Sequence, residues 1–129
     1  MRLLLDTTVL IDALRGRASA ERVRDLHKAG QIPWICAVNV EEVFRGAFAE
    51  EQDLTRRFLY ALRLAPLGRI EGERAGRWRR EYAEKGVTLS QADCLIAAAT
   101  VGADARLATG NPKHFPMPEV QVEHWPVGR

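Results

Sequence analysis

The chain begins MRLLLDTTVLID, Met1 to Asp12, and the order of those residues sets the kind of fold to expect. Arg2 to Leu5 is an apolar run too short for a helix and suited to a buried strand. Asp6 ends it. Thr7 to Leu14 then resumes the apolar pattern at helical spacing until Arg15-Gly16-Arg17 closes it. Strand, acid and helix in direct succession open an α/β domain. The acid itself has two readings here. Asp is a favoured N-cap, so Asp6 can simply start the helix, or it can be a ligand placed at a strand end.

The same alternation continues outward. Ser19 begins a second helix, with Val23 and Leu26 inward, that stops at Gly30. Pro33 to Ala37 makes a short buried strand, and Val38 to Ala49 a helix whose apolar face is Val40, Val43, Phe44, Ala47 and Phe48. Asp53 caps the next helix, with Phe58, Leu59 and Leu62 inward and Pro66 past its end. Glu71 to Lys85 is helical and densely charged, with Glu73–Arg77, Arg77–Glu81 and Glu81–Lys85 spaced for ion pairs. That run fits a solvated face or an RNA-facing ridge. Ser90 begins a helix through Leu95 and Ile96 to Gly102. Ala105 to Ala108 is a strand, Thr109 to Pro118 a Gly/Pro-rich loop, and Val120 to Trp125 a last strand. Short apolar strands between amphipathic helices predict a mainly parallel sheet.

Composition narrows the class. The chain has 129 residues, enough for one domain, 1–129, with its own core. The longest weakly polar stretch, Cys94 to Ala103, is about half the roughly 20 residues a membrane span needs. Asp6 interrupts the first apolar run too early for a secretory signal, so a cytoplasmic protein with no membrane partner is expected. Cys36 and Cys94 are far apart, with no C-x-x-C and no clustered His, which favours buried thiols over redox or zinc chemistry. The net charge of +2 does not announce nucleic-acid binding. The basic residues are nearly all Arg, Lys28, Lys85 and Lys113 excepted; that suits phosphate contact, and a GC-rich genome gives the same bias.

In parallel sheets ligands bind beyond the carboxyl ends of the strands. Four positions fall there: Asp6, Glu42 one turn into the third helix, Asp93 in the first turn after Ser90, and Asn111 after Thr109-Gly110. Each has a structural explanation of its own. Asp6 can cap, Ser90-Gln91-Ala92-Asp93 matches a capping box, Glu41 can pair with Arg45, and Asn111-Pro112 is turn chemistry. Capping does not explain why three helices direct acids to one sheet edge. Carboxylates gathered there need a cation. With no His or Cys among them a hard ion is favoured, Mg²⁺ or Mn²⁺ in its place, whose chemistry in such sites is phosphodiester hydrolysis. There is no G-x-S-x-G elbow and no Walker A loop. His27 and His124 fit surface or partly packed positions, whereas His114 occupies the loop beside Asn111, where substrate contact and a purely structural position are both open. Asp12, further into the first helix, is expected to be solvated or paired with Arg15.

At these residues the sequence resembles the PIN-domain ribonucleases, and among them the VapC toxins of toxin–antitoxin pairs. LLLDTTVLIDALRG is similar to the family's opening strand, acid, hydroxyl residue and helix. ICAVNVEEVFRGA resembles its second motif, with Glu42 rather than Glu41 as the functional acid. LSQADCLIAAAT resembles the third through Asp93, and LATGNPKHFP the fourth. The resemblance implies a three-layer α/β/α domain around a sheet of about four to five strands. It implies a Mg²⁺-dependent endoribonuclease with Asp6 and Asp93 on the metal, Glu42 on a second ion or orienting water, and Thr8 and Thr109 supporting by hydrogen bonds. It also implies a homodimer neutralised by a small antitoxin whose C-terminal segment occupies the groove. One departure stands out: many members carry a fourth acid where this chain has Asn111, and some have Asp in place of His114. That favours one-metal chemistry, with Asn111 as a neutral ligand or substrate contact.

Two other functions fit parts of the pattern. An Asp-nucleophile phosphatase would use Asp6, but needs a second Asp where Thr8 stands. A PIN-like domain that binds RNA or a partner without cleaving it would account for Asn111.

Overall fold

The computed structural model describes residues 1–128. Strand β1 (Arg2–Leu5) leads into helix α1 (Thr7–Leu14), followed by α2 (Ala18–Lys28), β2 (Trp34–Ile35) and α3 (Ala37–Gly46). Next come α4 (Gln52–Tyr60), β3 (Arg63–Leu64), α5 (Arg69–Glu84), α6 (Gln91–Gly102), β4 (Ala105–Thr109) and β5 (Val122–His124). All five strands are parallel, in the order β3-β2-β1-β4-β5.

The sequence produces this topology through alternation on two faces. Leu4 and Leu107 point into one core with Trp78, Ile96 and the small residues Ala97 and Ala98, beneath α5 and α6. Leu5 and Ala108, one step along each strand, enter the opposite core with Val9, Leu10, Val43 and Leu59 of the helices α1, α3 and α4. Helices therefore cover both faces of a parallel sheet, as such sheets require. From β1 the chain builds outward through β2 and β3, then crosses to place β4 and β5 on the other side. The reversal leaves a crevice beyond the carboxyl ends of β1 and β4, where Leu5 pairs with Ala108 and Asp6 N–H donates to Ala108 O at 2.8 Å. No helix among the described residues is long and apolar enough to cross a membrane.

Several local expectations need correction. Strand β3 was not expected: it has two residues, both exposed, and carries no apolar run. Helix α3 stops at Gly46 because Ala47 turns extended, so Phe48, expected inward, is 70% exposed. Asp53 is not a cap; it lies in the first turn of α4 and pairs with Arg56 at 3.0 Å. On α5 the Glu73–Arg77 pair forms at 2.8 Å, but the other contact on that helix is Arg80–Glu84, not Arg77–Glu81 or Glu81–Lys85.

Asp12 is the largest correction. It is 2% exposed rather than solvated, and its carboxylate accepts from Ser19 N–H at 3.0 Å and Gly128 N–H at 3.1 Å. It thus stitches the start of α2 and the C-terminal segment to α1. Burial alone would push its carboxyl up, but the Gly128 and Ser19 N–H groups outweigh that and hold it below the ordinary value. A lowered carboxyl contributes stability above its unfolded value, and that stability is lost as pH falls through the folded value. Asp12→Ala strands two N–H groups, so urea unfolding is expected to show a loss of about 2–4 kcal/mol at neutral pH.

Candidate active site

Asp6 is built into the crevice from three directions. As N-cap of α1 its Oδ1 accepts from Thr7 N–H at 2.8 Å. Its Oδ2 accepts from the hydroxyls of Thr8 at 3.1 Å and Thr109 at 2.7 Å. Each hydroxyl is oriented in turn by a backbone donor from the loop after β4: Gly110 N–H to Thr8 Oγ1 at 3.1 Å and Asn111 N–H to Thr109 Oγ1 at 3.0 Å. Gly110 is needed there, because a Cβ would come within 2.7 Å of Val127. An ionised carboxylate has about four lone-pair positions. Three are filled, which leaves one, on Oδ1.

Asp6 is 5% exposed, and burial pushes its carboxyl above the ordinary value. The bonds from Thr109, Thr7 and Thr8 act the other way, and neighbouring Asp93 raises it again. Asp93 itself lies in the first turn of α6, where Ser90 Oγ accepts its N–H at 3.0 Å. The return half of the expected capping box is not among the hydrogen bonds of the described residues. The Asp93 carboxylate instead lies 3.6 Å from His114 Nδ1.

Glu42 reaches the same crevice from α3. Its Oε1 accepts from the Thr7 hydroxyl at 2.6 Å, Thr7 Oγ1 accepts from Asn39 Nδ2 at 3.1 Å, and Asn39 Oδ1 accepts from Cys36 N–H at 2.8 Å. Thr7 and Asn39 were missed from sequence. Asn39 is fully buried and three residues before Glu42, one turn away on its helix; a polar residue among Val38, Val40 and Val43 was the available signal. Glu41, by contrast, faces outward and binds Arg45.

A cleft of about 350 Å³ is lined by Asp6, Thr7, Thr8, Glu42, Asp93, Asn111 and His114, together with Ile11, Arg45 and Gly46. The four strand-end positions therefore open on one space, and Thr109 supports it from the β4 end. Cys36 and Cys94 take no part in the lining; both are buried, and burial pushes the Cys94 thiol to about 11.

The model of the PIN domain matches residues 3–117. The chain belongs to the PIN-domain family. Among curated relatives, Ribonuclease VapC10 of Mycobacterium tuberculosis is 34% identical over 116 residues, spanning 89% of this chain and 86% of the relative. Ribonuclease VapC19 of the same organism is 32% identical over 124 residues, 92% and 96% of the two chains. A toxin–antitoxin complex from Klebsiella pneumoniae contains a chain with TM-score 0.73 and 29% identity, covering 93% of this PIN domain and 95% of that chain. VapBC2 from Rickettsia felis, bound to a promoter DNA fragment, shares the fold at TM-score 0.82 and 23% identity over 97% and 99%.

The cleft's donors are oxygen-rich and suit a hard cation. Among the described residues no three His, Cys, Asp or Glu side chains are grouped closely enough to hold a metal alone. Asp6 with one open lone pair, beside Asp93, fits an ion that binds through one or two carboxylates and keeps several waters, as Mg²⁺ does. It does not fit an ion that demands an all-protein cage.

Proposed function

We propose that this PIN domain is an endoribonuclease that hydrolyses RNA phosphodiester bonds with Mg²⁺, or Mn²⁺ in its place, held by Asp6 and Asp93. We assign it as the toxin of a toxin–antitoxin pair, a homodimer restrained by a small antitoxin and acting in the cytoplasm. The observation that carries the reading is that Asp6, Asp93 and Glu42 line one cleft at the crevice between β1 and β4, with Asp6 left one free lone pair. The VapC ribonucleases above support the activity, and the toxin–antitoxin complex supports the partner.

When bound, the ion would polarise a phosphodiester oxygen and make a coordinated water a better nucleophile. The chain's own residues supply the rest. Thr8 and Thr109 fix Asp6 through Oδ2 and leave its one open acceptor position on Oδ1. Thr7 holds Glu42 Oε1, which leaves Oε2 to orient water and accept its proton. Asn111, exposed at the mouth, offers a neutral amide to substrate or ion. A single ion is favoured because the loop after β4 presents Asn111 where a fourth carboxylate would serve a second. The phosphatase reading is disfavoured by Thr8, whose hydroxyl is committed to Asp6 and Gly110.

The test is cleavage of a labelled structured RNA by the purified protein. Internal cutting with Mg²⁺ or Mn²⁺ that stops in EDTA is expected. Binding without cutting would favour the non-cleaving domain, and cutting that persists in EDTA would overturn the metal.

A further inference from the structure

Arg45, in the last turn of α3, is the only Arg or Lys that lines the cleft among the described residues. Its Nε and Nη2 donate to the two Glu41 carboxylate oxygens at 3.0 and 3.1 Å, and Nη2 lies 3.9 Å from Glu42 Oε2. The guanidinium is two-thirds exposed, as is its Glu41 partner. We propose that Arg45 binds a backbone phosphate of the RNA beside the scissile bond, giving up its Glu41 partner when substrate arrives. The proposal rests on the ribonuclease reading and adds the contact that lets a polyanion enter an acidic cleft.

Three observations converge on it. An RNA backbone approaching Asp6, Asp93 and Glu42 meets like charge. A divalent ion on Asp6 and Asp93 would offset those two and leave Glu42 uncompensated, and Arg45 stands at the Glu42 end, its Nη2 3.9 Å from Glu42 Oε2. The fork already holds a carboxylate in bidentate form, and a phosphodiester presents the same pair of oxygens, so exchange keeps both bonds. Finally, exposed i,i+4 pairs are weak and salt-screened, so Glu41 does not withhold the guanidinium. His114, across the cleft against Asp93, is the other basic group on the lining and stands apart from Glu42's contacts.

The experiment is anisotropy titration of a labelled single-stranded RNA oligonucleotide in an Asp93→Asn background across a salt series, beside cleavage kinetics in the otherwise unsubstituted chain. Arg45→Gln is expected to weaken binding about tenfold at about 100 mM salt and to flatten the slope of log affinity on log salt by about 0.7. Arg45→Lys should keep the slope and recover part of the affinity. Glu41→Gln should leave the slope unchanged and bind at least as tightly. In cleavage, Arg45→Gln should raise KM more than it lowers kcat. An unchanged slope and affinity in Arg45→Gln, or an equal loss in Glu41→Gln, would overturn the proposal and reduce the pair to a helix-end contact. Failure of the unsubstituted protein to cut RNA is a separate result, and would remove the reading on which the proposal rests.

Discussion

Asp6→Asn is expected to slow RNA cleavage by about a thousandfold or more, about 4 kcal/mol in the barrier, while the chain stays folded. The amide keeps the shape of the carboxyl and can still accept Thr7 N–H, so the N-cap of α1 survives. What disappears is the negative charge that two threonine hydroxyls hold toward the cleft. Asp93→Asn should behave alike, because each acid supplies one of the two charges. Single-turnover rates at saturating Mg²⁺ check both, with circular dichroism to confirm the fold. Asp6 also sets a pH signature. Its carboxyl lies above the ordinary value, so protonation favours the folded metal-free protein, which gains stability as pH falls through that value. Activity needs the ionised form and should fall over the same interval. Mg²⁺ competes with the proton, so the acid limb of the rate profile should move to lower pH as Mg²⁺ rises.

Glu42→Gln should lower turnover by about a hundredfold or more, whereas Glu41→Gln, its immediate neighbour, should stay within about threefold of the parent. The contrast follows from the turn of α3. Glu42 is held by the Thr7 hydroxyl at 2.6 Å inside the cleft, and Asn39 fixes that hydroxyl's direction by occupying its oxygen as an acceptor. Glu41 is exposed, and its hydrogen bonds among the described residues are to Arg45. Parallel measurement of kcat on one RNA decides it. The reverse order would mean that the functional acid of α3 had been misplaced by one residue.

Much of this architecture was legible because it follows from period and punctuation. LLLD and ARLAT each place apolar residues on both faces of a covered sheet, and an acid or hydroxyl at the end of such a strand has nowhere to go but the crevice. That is why Asp6 could be named from sequence, while the supporting role of Thr109 came from the family resemblance; Thr109 Oγ1 lies 2.7 Å from Asp6 Oδ2. Asp93 and Glu42 were legible as acids in the first turn, or one turn in, of helices that start at the sheet edge, and the choice of Glu42 over Glu41 came from the resemblance to the PIN-domain ribonucleases. Features that depend on distant partners were not legible. Asp12 looks like a surface acid until the C-terminal segment brings Gly128 to it, 116 residues away. Thr7 and Asn39 matter only because α3 lies against the start of α1, a packing that neither segment encodes alone. Phe48 followed the helical period, but the helix ended two residues earlier. β3 is held by backbone pairing to β2 and has no side-chain pattern to betray it.

The most direct test of the central claim is an anomalous difference map from crystals grown with Mn²⁺. One peak is expected, within ligand distance of the Asp6 and Asp93 carboxylates and completed by water, and it should vanish in Asp93→Asn crystals. A peak remote from Asp6, or one that survives the substitution unchanged, would contradict the claim that these two acids form the metal site.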